Sequence, residues 1–161
     1  MKYRKSEAKE YARQSITGLW GATFTPFTPD YKIDEQAWRY NIRHYIDNLG
    51  LQGLFVCGTL GEFWYLTVAE RKRLCQLAVE EAKGDMFIMP YTFDPVVENE
   101  LEMIKYAENI GADFVITSQP TFPTDDVVNE EGVYQRFKYL TDRTNIGIAI
   151  FHATTQGYMM S

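Results

Sequence analysis

Leu51-Gln52-Gly53-Leu54-Phe55-Val56-Cys57-Gly58-Thr59-Leu60-Gly61-Glu62, followed three residues later by Leu66-Thr67-Val68-Ala69-Glu70-Arg71, decides the fold. Its first part is apolar at consecutive positions, so the strand it forms is buried on both faces, as a parallel sheet requires. Gly58 and Gly61 then permit a tight backbone turn. Thr67 with Glu70 three residues on is a capping box that opens a helix. Leu74, Leu77 and Ala78 share one face of that helix, and Gly84 ends it. Strand, turn and helix make one unit, and the rest of the chain repeats it.

Further strand-like runs lie at 18–25, 86–92, 113–118 and 146–152, at a spacing of roughly 30 residues. Helical patterns fill the gaps. Asp34 caps the first, which carries Trp38, Ile42, Tyr45, Ile46 and Leu49 and stops at Gly50. Another spans 95–109 with Pro in its first turn and Gly111 after it, and the last covers Glu130–Asp142. Helices between successive strands imply right-handed parallel crossovers and an α/β class. No GxGxxG follows the first strand and no Gly-Lys-Ser/Thr loop is present, so the phosphate signatures of open nucleotide-binding sheets are missing and a closed barrel is favoured.

A (β/α)8 TIM barrel needs eight strands and about 250 residues. This sequence of 161 residues supplies five units. The expectation is a polar, helical leader over 1–16 and the N-terminal part of a barrel over 17–161. Five strands alone expose two sheet edges and an unfilled interior, so either more chain or obligate association is expected, including a homo-oligomer.

Composition narrows the partners. The hydrophobic content of 45% fits a folded domain, and the net charge of −6 gives no basic face for nucleic acid or an anionic membrane. No apolar run approaches the roughly 18 residues of a membrane span. The opening MKYRKSEAKEYARQ lacks the apolar core of a signal peptide, so the chain reads as cytoplasmic. Cys57 and Cys75 lie in apolar patterns without metal-ligand spacing and read as reduced core thiols.

In a barrel the reactive groups come from the C-terminal ends of the strands. The first end offers Thr23, Thr25 and Pro26, and the third offers Tyr91, Thr92 and Asp94. The turn Gly58-Thr59-Leu60-Gly61-Glu62 has the form of an anion or carbonyl site, but also that of a plain turn capped by Glu62. After the fourth strand comes a stiff loop from Ser118 through Pro123, whose neighbours Asp125 and Asp126 read as solvated or capping. His152 ends the fifth strand and has three readings: general base, carboxylate ligand or structural histidine. His44, Trp38, Trp64 and Tyr134 read as outer-layer packing, and Glu98, Glu100 and Glu102 as a solvated helix face.

The turn Gly58-Thr59-Leu60-Gly61-Glu62 after Leu54-Phe55-Val56-Cys57, and the opening Gly21-Ala22-Thr23-Phe24-Thr25-Pro26-Phe27, resemble the dihydrodipicolinate synthase and N-acetylneuraminate lyase family. The resemblance runs in register from about Thr17 to the end. It implies a Schiff-base lyase or aldolase acting on pyruvate or a related 2-oxo acid, in which a lysine forms an imine with the keto carbon. Thr59 matches the threonine that relays protons. Thr59, Leu60 and Gly61 match the carboxylate site. Two family tyrosines fall at Phe122 and Phe151, so both hydroxyls are lost, with neighbouring Tyr91, His152 or Thr121 as the groups that could substitute, and the arginine that meets a second carboxylate falls at Gln156. The lysine belongs beyond Ser161, and Lys138 should face solvent instead.

The sequence therefore predicts a partial chain of such a lyase, inactive by itself. Thr59 and His152 are its candidate catalytic groups, and Thr59, Leu60, Gly61, Phe122 and Phe151 line the substrate. No metal or organic cofactor is implied. The alternative is a non-catalytic binding or assembly protein that kept the half-barrel. An intact mass for the natural protein nearly twice the 18.7 kDa of this chain is the expected result. An equal mass favours the binding protein.

Overall fold

Apolar runs and amphipathic stretches alternate along the chain and fold as strands and helices in that order; the three inner runs are largely buried, whereas the first and last stay partly exposed, with Ile150 at 45%. The computed structural model describes residues 2–120 and 130–152. A 3-10 turn, Lys5–Glu7, leads into α1 (Ala8–Ser15), β1 (Trp20–Ala22), α2 (Glu35–Asn48) and β2 (Gly53–Val56). A second 3-10 turn, Phe63–Tyr65, precedes α3 (Val68–Ala82), β3 (Phe87–Pro90), α4 (Val97–Ile110), β4 (Val115–Ser118), α5 (Glu130–Asp142) and β5 (Ile148–Phe151).

All strand pairs are parallel. β1 pairs with β2 (Gly21 opposite Leu54), β2 with β3 (Leu54 opposite Ile88) and β4 with β5 (Ile116 opposite Ala149). Between β3 and β4 a single parallel bridge joins Tyr91 to Ile116. Asp113 N–H donates to Ile88 O at 3.1 Å and Thr92 N–H to Ile116 O at 2.9 Å on either side of it. The spatial order of the strands is thus their order in sequence. Each strand is shorter than its apolar run because ladder pairing covers only the middle. The flanks continue through single bonds such as Tyr91 N–H to Val56 O at 2.8 Å and Gln52 N–H to Leu19 O at 2.8 Å.

The helix termini form as their residues dictate. Asp34 accepts from Ala37 N–H at 2.9 Å, and Thr67 and Glu70 complete both halves of the capping box. Strand residues that point outward, Leu54, Val56 and Ile88, form one buried cluster with Trp38, Ile42, Leu74, Leu77 and Met103. Trp38 also donates its indole N–H to Leu74 O at 3.1 Å, which ties α2 to α3. Residues that point the other way, among them Phe55, Met89, Ile116 and Ala149, line an apolar groove of about 320 Å³ along the concave side of the sheet. Cys57 and Cys75 are buried free thiols, and their mutual hydrogen bond, reinforced by burial, holds Cys57 well above the ordinary thiol range.

Two readings from sequence need correction. Trp64 and Tyr134 do not pack into the outer layer but stay 52% and 57% exposed. Glu100 is not solvated: it is fully buried, ion-paired with Arg136 and accepts from Thr117 Oγ1. A helical-face pattern alone does not reveal this, because α5 brings the arginine from a distant segment. Burial raises the Glu100 carboxyl, against the lowering effect of Arg136 and Thr117. The N-terminal segment is anchored to the sheet. Tyr3 donates its hydroxyl to Asp113 O at 2.6 Å and accepts from Gly147 N–H at 2.9 Å, and its ring stacks on Phe114. Burial pushes the phenol up to about 12, so it remains a neutral donor at the N-terminal ends of β4 and β5.

Removing one partner of a buried ion pair leaves the other charge uncompensated. Arg136→Met is expected to lower unfolding stability by about 3 kcal/mol, measured by chemical denaturation. A loss below about 1 kcal/mol would mean that the pair does not hold α4 to α5.

Candidate active site

Because every strand runs the same way, their C-terminal ends gather one set of loops on one side. After β1, Thr23 is buried and donates its N–H to Phe55 O at 3.1 Å. Thr25 Oγ1 donates to Gly61 O at 2.7 Å, which pins the next turn from the side. That turn follows β2. Cys57 takes a left-handed φ of 57°, and the chain folds back through Gly61 N–H to Gly58 O at 3.0 Å and Glu62 N–H to Thr59 O at 3.1 Å.

Both glycines are demanded by contact. A Cβ at Gly58 would sit 2.4 Å from the Phe55 ring, and one at Gly61 would sit 3.1 Å from Cys57 Cα and 3.2 Å from Thr23 O. The turn thereby presses against two strands while its tip stays outside: Thr59 is exposed and Leu60 is 51% exposed. Glu62 does not cap. It takes a left-handed φ of 56° and its side chain makes no capping bond. A rigid turn with an exposed threonine at its tip is suited to receive a small carboxylate.

β3 and β4 contribute a pair of hydroxyls. Tyr91 is 2% exposed, Ser118 is fully buried, and their oxygens lie 2.7 Å apart. The Tyr91 ring meets Phe55 and Phe63 edge-on, with centroids at 5.6 and 4.8 Å. Burial raises this phenol too. On β5, the half-buried Phe151 tilts against Phe55 at 6.2 Å, and His152, next along, is exposed. Asp94 is committed elsewhere: it accepts from Val96 N–H at 3.0 Å and Asn99 Nδ2 at 3.2 Å, and pairs with buried Arg71 at 3.4 Å.

Of the residues predicted from sequence, Thr59, Leu60, Gly61, Phe151 and His152 all lie on the loops and strand ends of this one side. Phe122 lies outside the described residues, as do Thr121, Asp125, Asp126, Thr154, Thr155 and Gln156. Lys138 pairs with Asp142 on α5 and is half-exposed, and His44 stacks on Tyr40 on α2. Sequence alone named Tyr91 and Ser118 as strand-end residues but not as partners. That bond depends on the register of β3 against β4, in which Tyr91 lies opposite Ile116 and Ser118 stands two residues further on, and no local pattern encodes it.

A parallel α/β sheet in strand order, with its polar turns at the C-terminal ends, has the architecture of β/α-barrel enzymes. The family model described as the dihydrodipicolinate synthetase family matches residues 15–155, and the chain belongs to that family. It is 32% identical over 109 residues to the N-acetylneuraminate lyase of Actinobacillus pleuropneumoniae serotype 5b, covering 68% of this chain and 37% of the lyase. The crystal structure of dihydrodipicolinate synthase from Aquifex aeolicus superposes with a TM-score of 0.80 at 27% identity, covering 86% of this chain and 46% of that one. A prophage protein of the same family from E. coli K12, solved in complex with pyruvate, shares the fold with a TM-score of 0.80 at 23% identity, over 87% of this chain and 46% of that one. The chain thus spans less than half the length of each of these relatives. Among the described residues, no helix is long and apolar enough to cross a membrane.

Gly61→Ala must displace backbone rather than a flexible side chain, so it is expected to cost about 1 to 3 kcal/mol. Thermal unfolding against the unchanged protein measures this, and a neutral substitution would show that the turn has slack.

Proposed function

We propose that this chain is the N-terminal part of a pyruvate-dependent Schiff-base lyase or aldolase, completed by further β/α units that carry the imine-forming lysine. The observation that carries this reading is the turn from Gly58 to Glu62, pressed between β1 and β2 with Thr59 at its exposed tip. Family membership and the relative's complex with pyruvate support the same substrate class.

In this reading the Thr59 hydroxyl and the backbone amides of Thr59 and Leu60 hold the substrate carboxylate, with Gly61, whose N–H donates to Gly58 O, shaping the turn beneath it, and this fixes the keto carbon for attack. The lysine amine adds to that carbon, and water leaves to give the imine. Loss of a proton from the adjacent carbon gives the enamine, which bonds to a carbonyl partner or is released from one. Phe151 presents an apolar ring where the family has a hydroxyl. His152, exposed at the end of β5, exchanges protons between the site and water. The imine is its own electron sink, so no metal or organic cofactor is needed. The further strands close the sheet edges that five strands leave open, and the completed barrel works as a cytoplasmic homo-oligomer.

Borohydride reduction of the full-length natural protein with pyruvate should add one reduced pyruvate adduct on a lysine beyond Ser161. Thr59→Val should lower kcat/KM for pyruvate by about 100-fold. Absence of an adduct in the unchanged protein would overturn the reading. A rate unchanged by His152→Ala would remove the histidine from it.

A further inference from the structure

We propose that Tyr91 and Ser118 form the internal proton donor of this site, one strand away from the hydroxyl that Phe151 lacks. The inference rests on the Schiff-base reading and deepens it. Side chains alternate along a strand, so residues two apart face the same way. Met89, Ile116 and Ala149 line the concave groove. Two residues further along each strand stand Tyr91, Ser118 and Phe151, which face the same side nearer the C-terminal ends; Tyr91 lies opposite Ile116 in register and reaches Ser118 diagonally. Ser118 and Phe151 are direct register partners between β4 and β5. The hydroxyl pair therefore borders the ring whose position carries a tyrosine in the resembling family.

The chemistry of the pair fits the task. Two hydroxyls own two protons, and their mutual bond at 2.7 Å uses one, so the other is left to donate. Phe55, Phe63 and Phe93 surround the Tyr91 ring and keep it dry. The backbone beneath it is held firmly. Arg71, itself buried, donates to Tyr91 O at 3.0 Å and Phe93 O at 2.9 Å, and Tyr91 N–H donates to Val56 O at 2.8 Å. A donor fixed in this way loses little freedom when it acts.

The step balances without another reactant. The pair gives a proton to the carbinolamine hydroxyl, the carbon–oxygen bond breaks and water leaves, and the nitrogen electron pair forms the carbon–nitrogen double bond. The phenolate then takes a proton from the adjacent carbon as the enamine forms, which restores the phenol.

A pair that only filled the core would change stability and leave the chemistry intact. In the full-length natural protein, Tyr91→Phe keeps the ring and removes the hydroxyl, so kcat should fall by about 100-fold while KM for pyruvate stays within about twofold. Deuterium exchange into the pyruvate methyl group should slow in parallel. Ser118→Ala, the second variant, should lower kcat and shift its pH profile. Adding Phe151→Tyr to Tyr91→Phe should return at least about a tenth of the lost rate. A Tyr91→Phe enzyme within about twofold of the unchanged kcat would overturn the proposal while borohydride still traps the imine. An unchanged protein that traps no imine removes the Schiff-base reading and the donor role with it.

Discussion

Parallel pairing of the strands in sequence order is the constraint on which the rest depends. A parallel strand can follow its neighbour only after the chain has crossed back along the sheet, and the helices α2 to α5 are those crossings. Each return ends at the same side, so Thr23, Thr59, Tyr91, Ser118 and His152 are brought together although they span most of the chain. An antiparallel hairpin anywhere in the series would send the next loop to the opposite side and split the set. The same pairing requires strands that are apolar on both faces, which is why the helix-facing Leu54, Val56 and Ile88 and the groove-facing Phe55 and Met89 alternate without a polar break.

Within that frame, buried polar groups fix position more than they add stability. Glu100, Arg136 and Thr117 join α4, α5 and β4, and Arg71 of α3 holds the carbonyls of Tyr91 and Phe93. The desolvation of such groups largely offsets their attraction, so their contribution lies in allowing one arrangement and penalising the others. Arg71 is the clearest case: one guanidinium determines where the backbone leaves β3, and so where the Tyr91 hydroxyl points. At the opposite end of the strands, Tyr3 does similar work by bridging Asp113 and Gly147.

The elements were legible in the sequence because their signals are local. The capping box at Thr67 and Glu70, the cap at Asp34 and the five apolar runs each depend on a few adjacent residues, and the structure forms all of them. The turn from Gly58 to Glu62 was equally legible, because two glycines three residues apart signal a tight turn, although the contacts with Phe55, Cys57 and Thr23 that exclude a Cβ there appear only in the fold. Glu100 was misread, and the anchoring of Tyr3 was not foreseen, for a common reason. The Glu100 partner Arg136 and the Tyr3 partners Asp113 and Gly147 lie far away in the chain, and no periodicity encodes a tertiary contact. The Tyr91 and Ser118 pair sits between these cases: strand ends can be read from sequence, but the relative heights of two strands follow from register.

The most direct measurement is a crystal structure of the full-length natural protein with pyruvate trapped as its reduced lysine adduct. The account predicts that the pyruvate carboxylate sits on the Thr59 hydroxyl and the backbone of the turn from Gly58 to Glu62, with the Tyr91 and Ser118 oxygens beside the former keto carbon. An adduct whose carboxylate lies away from that turn would contradict it.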